Sequence, residues 1–464
     1  MKSASNESCS HTESRQFIES LASVPKYPRR PFLLEGVTFE QLYGRAQNIR
    51  DQFNRDLSRT TPICLCTEDR AHVTAALLAA LGGGPPLMLP YAFSRSTLEE
   101  ACESIPYAHA LVEKRHDLPA GVQAFTLPES SLPEPNRSEQ RHISWDAPWL
   151  YLFTGGSTGT PQIWSKTPRN LLMEAAYLAR AFKITPNDIV LATAPPYHIY
   201  GLLYSVLLPL VSGASVSIFT PSFPNEIVQR LLDTQATVLV SLPAHYRALK
   251  KTAIPGHHVH TAFSSAGALD EQDGLDFYNT TGIGITEIYG STETGGIARR
   301  NRSAGQTAFH PFACVDVKVK NEHLWVRSDF LSKELARDEE GFFGTADRAA
   351  WSDGTGFSIL GRSDGIVKVA GKRVDLAKTR ETLMQVTGVR EVYVFAMPVQ
   401  SGRENEIVAL VEGRVRVEQL AQAASLHLPH YARPRNVKII ERIPLSPTGK
   451  YNHEAIKKLF SEVP

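Results

Sequence analysis

The chain has 464 residues, of which 42% are hydrophobic and 21% are charged, and its formal net charge is +1. This length exceeds what one ordinary hydrophobic core organises, so we expect two or three packed units. The near balance of 49 basic and 48 acidic residues creates no overall field that favours nucleic acid or a membrane surface. A small molecule held in a cleft is therefore the expected substrate.

The five cysteines are scattered and form neither a C-x-x-C pair nor a spaced cluster with histidine. This pattern is typical of buried thiols in a reducing compartment, and it argues against a disulfide framework or a zinc site. The start of the chain is polar and lacks the apolar stretch of a signal peptide. The most apolar segment, Tyr200–Val211, is shorter than a membrane span and contains Pro209. These features predict a cytoplasmic protein without stable membrane insertion.

Short apolar runs alternate with helix-like stretches in the first third of the chain, at Pro62–Cys66, His72–Leu81 and Leu87–Leu89. Such alternation is typical of strand–helix–strand units that build a parallel sheet. Further along, the pattern predicts a buried strand at Leu150–Phe153 and a helix at Arg169–Phe182. A second alternating stretch covers the runs Ile189–Ala192, Val206–Leu210, Val216–Phe219, Val238–Val240 and His260–Phe263.

The character of the sequence changes after Gly361, where a small α+β unit is predicted. Its elements are Val389–Phe395, Glu406–Val411, a helix at Val417–Leu426 and a strand at Val437–Ile440. Short β runs at Val315–Val319 and His323–Val326 precede this unit. We therefore predict an α/β protein with a large N-terminal domain, residues 1–362, and a small α+β C-terminal domain, residues 363–464. The large domain is expected to contain mixed or parallel sheets layered with helices.

The strongest single signal is the loop Thr154–Pro161, which follows a predicted strand. Its three glycines let backbone amides approach a ligand closely, and its four hydroxyl residues add donors that suit phosphate oxygens. No Gly-Lys-Ser/Thr sequence ends it, so it is not a Walker loop. A solvated turn is one alternative. Gly155–Gly159 also fits the G-x-S-x-G elbow of serine hydrolases, although that elbow needs a helix directly after the serine and Pro161 disfavours one.

The loop resembles the phosphate loop of the adenylate-forming superfamily, which includes acyl- and aryl-CoA synthetases, luciferases and peptide-synthetase adenylation domains. The resemblance implies that these residues bind the ATP phosphates: Thr154, Gly155, Gly156, Ser157, Thr158 and Gly159. The family usually has a lysine after the proline, whereas this chain has Gln162. We expect Lys166 to supply the missing positive charge. The same departure keeps a non-catalytic nucleotide-binding protein as an alternative.

Further segments follow in the order of that family. Pro196–Gly201 resembles the segment that lines the acyl pocket, which implies that Tyr197, His198 and Tyr200 contact the acid. Amino-acid-activating relatives place an aspartate near the position of His198, and no carboxylate occurs in this segment. The resemblance therefore implies an aryl or fatty acid as substrate.

The segments Ser264–Leu269 and Ile288–Thr294 resemble the nucleotide-binding turns of the family. The resemblance assigns these residues to the adenine and nucleotide site: Ala266, Gly267, Tyr289, Gly290 and Ser291. It also implies that Thr292 holds a phosphate oxygen and that Glu293 coordinates Mg²⁺, a hard cation that prefers carboxylate oxygen. Alone, the Ser/Thr-x-Glu pattern of the second segment would also fit a capped helix start.

The last matches lie toward the C-terminus. By resemblance Asp347 and Arg362 contact the ribose, Asp364 is the hinge between the domains, and Gly371 belongs to a loop that faces the active site during thioester formation. Lys450, within Pro444–Lys450, corresponds to the family's catalytic lysine. The usual acidic pair after the Gly371 loop is replaced by two basic residues, Lys378 and Arg380, which we interpret as surface variation.

The resemblance implies that the chain activates a carboxylic acid with ATP, releasing pyrophosphate and forming an acyl-adenylate. The acyl group then passes to the thiol of coenzyme A or of a carrier-protein phosphopantetheine. ATP, Mg²⁺ and coenzyme A are the implied cofactors, with Lys450, Glu293 and Thr292 as the catalytic residues. The implied partners are a small carboxylic acid and, if a carrier protein accepts the acyl group, an acyl-carrier protein. No nucleic acid is expected to bind.

Overall fold

The computed structural model describes residues 11–56, 61–113, 117–126, 145–154, 162–352, 354–362, 365–369, 372–398, 405–446, 449 and 451–461. The chain forms two compact units. The larger contains Met1–Asp316 and Val326–Phe343, and the smaller contains Val317–Trp325 and Gly344–Pro464. The last change from the larger to the smaller unit thus falls between Phe343 and Gly344. The predicted domain boundary at residue 362 stays a prediction, and residues 363–364 next to it lie outside the described residues.

The first sheet of the larger unit has six strands in the order β4-β3-β1-β2-β5-β6, and all neighbours are parallel except β5 and β6. The strands are β1 Ile63–Cys66, β2 Leu87–Leu89, β3 His109–Val112, β4 Gln123–Phe125, β5 Leu150–Thr154 and β6 Gln162–Lys166. The helices of this part are α1 His11–Ser23, α2 Phe39–Asp56, α3 Arg70–Leu81 and α4 Arg95–Ser104. Helix α3 is apolar on nearly every face and begins where the Asp69 side chain accepts a hydrogen bond from the His72 amide.

The second sheet has seven strands in the order β13-β12-β11-β10-β9-β7-β8, parallel from β11 to β8. Its strands are β7 Ile189–Ala192, β8 Ser215–Val216, β9 Val238–Ser241, β10 Thr261–Ser264, β11 Ile285–Ser291, β12 Gly295–Asn301 and β13 His310–Pro311. The accompanying helices are α5 Pro168–Ala181, α6 Ile199–Leu202, α7 Leu208–Ser212, α8 Pro224–Asp233, α9 Pro243–Leu249 and α10 Glu271–Thr281. A π-helix, Leu203–Leu207, connects α6 to α7.

Fully buried strands and amphipathic helices explain the core of this second layer. Every residue of β9 is buried, as expected for a parallel strand covered on both faces. Helix α8 contributes Ile227 and Leu231 to the cluster, and Tyr246 and Phe277 join it from α9 and α10. The apolar run Val206–Leu210 packs as helix, since it lies in the π-helix and α7.

Within its described residues, the smaller unit contains three β-sheets. The first has the order β14-β15-β16-β17, with β14 Asp316–Lys320, β15 His323–Arg327, β16 Phe343–Ser352 and β17 Gly356–Arg362. The second is the hairpin of β18 Ile366–Val369 and β19 Lys372–Asp375. The third pairs β20 Val389–Pro398 antiparallel with β21 Asn405–Gly413, which runs parallel to β22 Asn436–Ile440. The helices are α11 Leu376–Met384, α12 Val417–His427 and α13 His453–Ser461.

The predicted fold class is confirmed: a large unit of parallel and mixed sheets with helices precedes a small α+β unit. The predicted strands Leu87–Leu89 and Ile189–Ala192 have the same bounds in the structure, and most other predicted elements shift by one or two residues at an end.

Candidate active site

Three of the matched segments lie at the carboxyl ends of parallel strands in the second sheet. Strand β7 leads into Pro196–Gly201, β10 leads into Ser264–Leu269, and β11 ends within Ile288–Thr294. In the sheet β11 neighbours β10, and β7 follows after β9, so these segments share one edge. Open parallel sheets bind ligands in the crevice outside the carboxyl ends of their strands. The larger unit therefore brings the candidate adenine, metal and acyl residues to one edge of a sheet.

The turn after β10 has the properties needed next to a flat base. Ala266 and Gly267 are exposed, and a Cβ on Gly267 would meet only Pro243, at 3.7 Å. Ala266 has a φ of +66°, a left-handed conformation that is strained for alanine and that clusters at ligand sites. The hydroxyl of Ser265 donates to the Ile288 carbonyl over 2.9 Å and ties this turn to β11.

At the end of β11 the chain bends through a bulge between Tyr289 and Gly290. The half-buried Tyr289 ring packs against Phe309, with 5.4 Å between the ring centroids. A Cβ on Gly290 would lie 2.3 Å from the Gly295 carbonyl oxygen, so only glycine permits this approach of β11 and β12. The bulge thus presents Tyr289 beside the strand end.

Thr292 and Glu293 lie in a tight turn between β11 and β12. The Ser291 amide donates to Thr294 Oγ1 over 3.1 Å, and the Thr294 amide donates back to Ser291 Oγ over 3.3 Å. Because β12 begins at Gly295, the alternative of a capped helix start is wrong. A hydroxyl and a carboxylate on this turn are hard oxygen donors, so the residues present fit a Mg²⁺ ion.

Lys166 occupies a different place from the one that the sequence suggested. It ends β6 and is fully buried, and burial lowers its pKa to about 8. Its Nζ donates to the main-chain carbonyls of Glu293, over 3.2 Å, and Phe330, over 3.0 Å. The expected direct contact with the ATP phosphates is thus revised, since the amino group lies inside the protein beneath the Glu293 turn.

Glu174 lies against the same turn and was not anticipated from the sequence. It belongs to α5 and is buried, and burial raises its pKa to about 7. Its Oε1 accepts a hydrogen bond from the Gly296 amide over 2.7 Å. One sequence signal existed, because Glu174 falls on the apolar stripe of α5 between Leu171 and Leu178.

The candidate acyl segment is packed with aromatic rings. Tyr197 contacts Phe93 and His198, at ring-centroid distances of 4.9 and 4.6 Å. Burial and then the charge of Glu68 raise the pKa of Tyr197 to about 12, which keeps its phenol protonated. The Tyr200 hydroxyl donates to the Ser241 carbonyl over 3.1 Å.

A buried arginine holds the chain that enters this segment, and nothing in the sequence pattern indicated it. Arg70, at the start of α3, donates to the carbonyls of Ala192 and Ala194 over 3.3 and 3.4 Å, and to Ser205 Oγ over 3.0 Å. Burial lowers its pKa to about 10, so it stays charged at neutral pH. It therefore joins β7, the π-helix and α3.

His245 lies in α9, the helix that follows β9, and the sequence analysis did not identify it. Its Nδ1 is 2.8 Å from Thr193 Oγ1 and 3.3 Å from Ser241 Oγ. Burial lowers the pKa of His245 to about 4, so the imidazole is neutral at physiological pH.

In the smaller unit the two candidate ribose residues are brought together. Asp347 on β16 and Arg362 on β17 are direct partners in the antiparallel register. The Asp347 amide donates to Thr345 Oγ1 over 3.2 Å, and Thr345 Oγ1 donates to the Leu324 carbonyl over 3.0 Å. These bonds fix the backbone at the candidate ribose clamp.

Arg380, which we interpreted as surface variation, makes specific contacts. Its guanidinium is 2.5 Å from the Glu391 carboxylate, and its Nε donates to the Val392 carbonyl over 2.9 Å. Glu391 and Arg380 both hydrogen-bond Tyr451, which bridges to Leu445. Lys378, by contrast, is exposed.

Eight of the predicted site residues lie outside the described residues: Gly155, Gly156, Ser157, Thr158, Gly159, Asp364, Gly371 and Lys450. Thr154 is described, and its hydroxyl donates to the Gln162 carbonyl over 3.3 Å at the base of the loop. The segment that follows the loop is strand β6, and α5 begins only at Pro168. This order does not match the strand–turn–helix geometry of a hydrolase elbow.

Comparison with known families decides the classification. The model of the AMP-binding enzyme family matches residues 21–328, and the model of its C-terminal domain matches residues 381–450. This chain belongs to the AMP-binding enzyme family. The resemblance to adenylate-forming enzymes is thereby confirmed.

Individual relatives of this family are distant in sequence. The chain is 23% identical to the mitochondrial malonate–CoA ligase of Mus musculus over 96% of its own length and 89% of that protein. It is 29% identical to the 4-coumarate–CoA ligase of Cereibacter sphaeroides, over 64% of this chain and 68% of that one. The relatives support ATP-dependent activation of an acid and formation of a coenzyme A thioester.

Solved structures share the fold. ATP-bound MatB from Rhodopseudomonas palustris superposes with a TM-score of 0.78 at 18% identity, covering 96% of this chain and 99% of that one. The o-succinylbenzoate coenzyme A synthetase of Bacillus subtilis, in complex with ATP and magnesium, superposes with a TM-score of 0.78 at 17% identity, covering 95% and 99%. The cofactors of the family are ATP, Mg²⁺ and coenzyme A, as the sequence predicted. Within the described residues, none of the helices has the length and apolarity needed to cross a membrane.

Proposed function

We propose that this chain converts an aryl or fatty acid to its acyl-adenylate with release of pyrophosphate, and then to a thioester. The observation that supports the proposal is the shared sheet edge, where β7, β10 and β11 lead into the candidate acyl, adenine and metal segments. An acid bound beside Tyr197 would then lie at the same edge as a nucleotide bound beside Tyr289.

Each candidate residue has a separate role in forming the adenylate. Attack of a carboxylate on the α-phosphate joins anions, so the catalytic demand is positioning and charge neutralisation. Glu293, aided by Thr292, would hold Mg²⁺, which would supply positive charge to neutralise the phosphates when bound. The Thr154–Gly159 loop donates hydrogen bonds to the phosphates, and Lys450 reaches the carboxylate and the α-phosphate. Asp347 and Arg362 bind the ribose.

For the second step we propose that a thiol attacks the acyl carbonyl and displaces AMP. By the family resemblance, we propose that the Gly371 loop serves this step and that Asp364 is the hinge for the change between the two steps. Coenzyme A and a carrier-protein phosphopantetheine present the same thiol arm, and coenzyme A is the acceptor named for the relatives. A carrier protein remains the second acceptor to test, and the cytoplasm remains the predicted location.

The aromatic character of the acyl segment supports the substrate class. The Tyr197 ring packs against Phe93 and against His198 in tilted arrangements, and these rings support an aryl group or a chain of medium length as the acid. The relatives include ligases for malonate, 4-coumarate and sulfoacetate, so a screen has to include small dicarboxylic acids as well.

The decisive experiment is acid-dependent exchange of labelled pyrophosphate into ATP. We expect exchange with an aryl or medium-chain acid from a panel of benzoate, 4-coumarate, octanoate, malonate and α-amino acids. Only an enzyme that forms the adenylate reversibly supports this exchange, so its absence with every acid would favour a non-catalytic nucleotide-binding protein. An α-amino acid that outperforms all the other acids would overturn the substrate class. Thioester formation with coenzyme A or with a loaded carrier protein then identifies the acceptor.

A further inference from the structure

Two charged side chains lie buried beneath the turn that carries Thr292 and Glu293. Lys166 is 0% exposed and Glu174 is 2% exposed. Burying a charge destabilises a protein unless the charge is paired and hydrogen-bonded. Their burial next to this turn therefore needs a reason beyond packing.

The contacts of Lys166 fix one peptide group of the turn. Its Nζ donates to the Glu293 carbonyl, and the Ser332 amide donates to the same oxygen over 2.9 Å. The Glu293 carbonyl thus accepts hydrogen bonds from two segments outside its own hairpin. Because Nζ also donates to the Phe330 carbonyl, the lysine joins the turn to the 330–332 segment.

The contacts of Glu174 fix the other side of the turn. Its carboxylate accepts from the Gly296 amide and lies directly against the Gly295–Gly296 backbone. A Cβ on Gly295 would lie 2.6 Å from Glu174 Oε2, and a Cβ on Gly296 would lie 2.9 Å from Oε1. The two glycines therefore make room for the carboxylate, and Gly295 also has a φ of +68°.

We propose that Lys166 and Glu174 are positioning residues that hold the Thr292–Glu293 turn in the geometry that binds Mg²⁺ and ATP. The inference rests on the proposed function, since it assigns Glu293 to the metal. Neither side chain touches substrate. Lys166 acts on the Glu293 backbone and Glu174 on the Gly296 backbone, and their opposite charges stabilise each other in a poorly solvated interior.

The test compares three variants with wild type: Lys166→Met, Glu174→Gln and the double variant. Lys320→Met, at an exposed lysine of β14, is the control. Three quantities are measured on the full chain: the melting temperature without ligand, the increase in melting temperature that saturating Mg²⁺ and ATP produce, and the Mg²⁺ concentration that half-activates pyrophosphate exchange. The ligand-induced increase reports binding independently of turnover.

Each single variant removes one of two opposite charges from a poorly solvated interior and leaves the other there, so both are expected to melt below wild type. The double variant removes both charges, and glutamine at position 174 still accepts from the Gly296 amide. We expect it to regain most of the melting temperature. It still lacks the hydrogen bond to the Glu293 carbonyl, so its half-activating Mg²⁺ concentration is expected to stay raised by about tenfold, with a reduced ligand-induced increase and an unchanged KM for the acid.

The proposal is overturned if the double variant recovers the Mg²⁺ response together with the melting temperature, because the pair would then act only on folding. It is also overturned if Lys166→Met melts lower but responds to Mg²⁺ like the control. If Lys166→Met does not fold, the double variant decides. A wild-type protein that exchanges no pyrophosphate with any acid would instead refute the proposed function, and the ligand-induced increase in melting temperature would still test whether Lys166 and Glu174 position the Thr292–Glu293 turn.

Discussion

Replacing Gly290 by alanine tests whether β11 and β12 must approach as closely as the structure shows. The new Cβ would lie 2.3 Å from the Gly295 carbonyl oxygen and 2.9 Å from the Gly296 Cα. Unstrained contacts between such atoms are about 3.5 Å, so the strands would have to separate by about 1 Å. The obstacle is backbone on both sides, which cannot rotate away as a side chain can.

Two effects of Gly290→Ala follow from that displacement. Overpacking of this kind destabilises by about 1–3 kcal/mol, which corresponds to a fall of a few degrees in melting temperature. The same movement displaces Tyr289 and the turn with Glu293 by up to the same distance. A misplacement of about 1 Å at a reacting centre lowers the rate by about 100-fold, so pyrophosphate exchange is expected to fall far more than stability.

Gly36→Ala is the matched control, because a Cβ on Gly36 meets nothing within 4 Å. It is expected to melt and to exchange pyrophosphate like wild type. Both variants are compared by thermal melting and by acid-dependent exchange at saturating ATP. If Gly290→Ala behaves like Gly36→Ala in both assays, the close approach of the strands does not constrain the site and the reasoning is refuted.

Three further changes test other parts of the molecule. Glu293→Gln keeps the side-chain shape but removes the charge that Mg²⁺ needs, so exchange should be lost while the melting temperature holds; near wild-type exchange would place the metal elsewhere. Lys450→Ala should abolish adenylate formation but still release AMP from supplied acyl-adenylate and thiol; equal loss of both steps would contradict the assignment of Lys450 to the first step. Burial opposes the charge of Asp188, but hydrogen bonds that include one from His260 hold its pKa below 3.8. The ionised carboxylate therefore stabilises the fold at pH values above its unfolded-state pKa, and this stabilisation is lost as the pH falls through the folded-state pKa. Asp188→Asn lacks the carboxylate, so it should lose less stability than wild type below about pH 4.

Local patterns in the sequence predicted several of the strands that lead to the candidate site. The short apolar runs Ile189–Ala192 and Val238–Val240 are strands of the second sheet, whereas the equally apolar run Val206–Leu210 is helical, so an apolar run alone did not distinguish strand from helix. Because those strands are parallel, their carboxyl ends meet at one edge. Ala266 lies on the turn after β10, and Tyr289 lies near the end of the neighbouring strand β11. Their assignment to the nucleotide came from the family resemblance and stays a prediction.

The supporting residues could not be predicted in this way, because their contacts span long stretches of chain. Lys166 meets Glu293 across 127 positions, and Glu174 meets Gly296 across 122. Arg70 reaches Ala192 across 122 positions. No local pattern encodes such pairs, and a charged residue in an apolar stripe is only a hint that some partner exists.

The position of Lys166 shows that a separation of four residues corresponds to different distances in a helix and in a strand. It follows Gln162 by four residues, which in a helix would bring the two side chains together. In β6 the same four residues span about 13 Å, because both residues belong to an extended strand. Lys166 also pairs in register with the fully buried Leu150, at the end of β6 remote from the loop. An amine there meets main-chain carbonyls, so the positive charge that the family places after the loop proline is not restored from within β6. Any cation that serves the phosphates has to come from another segment.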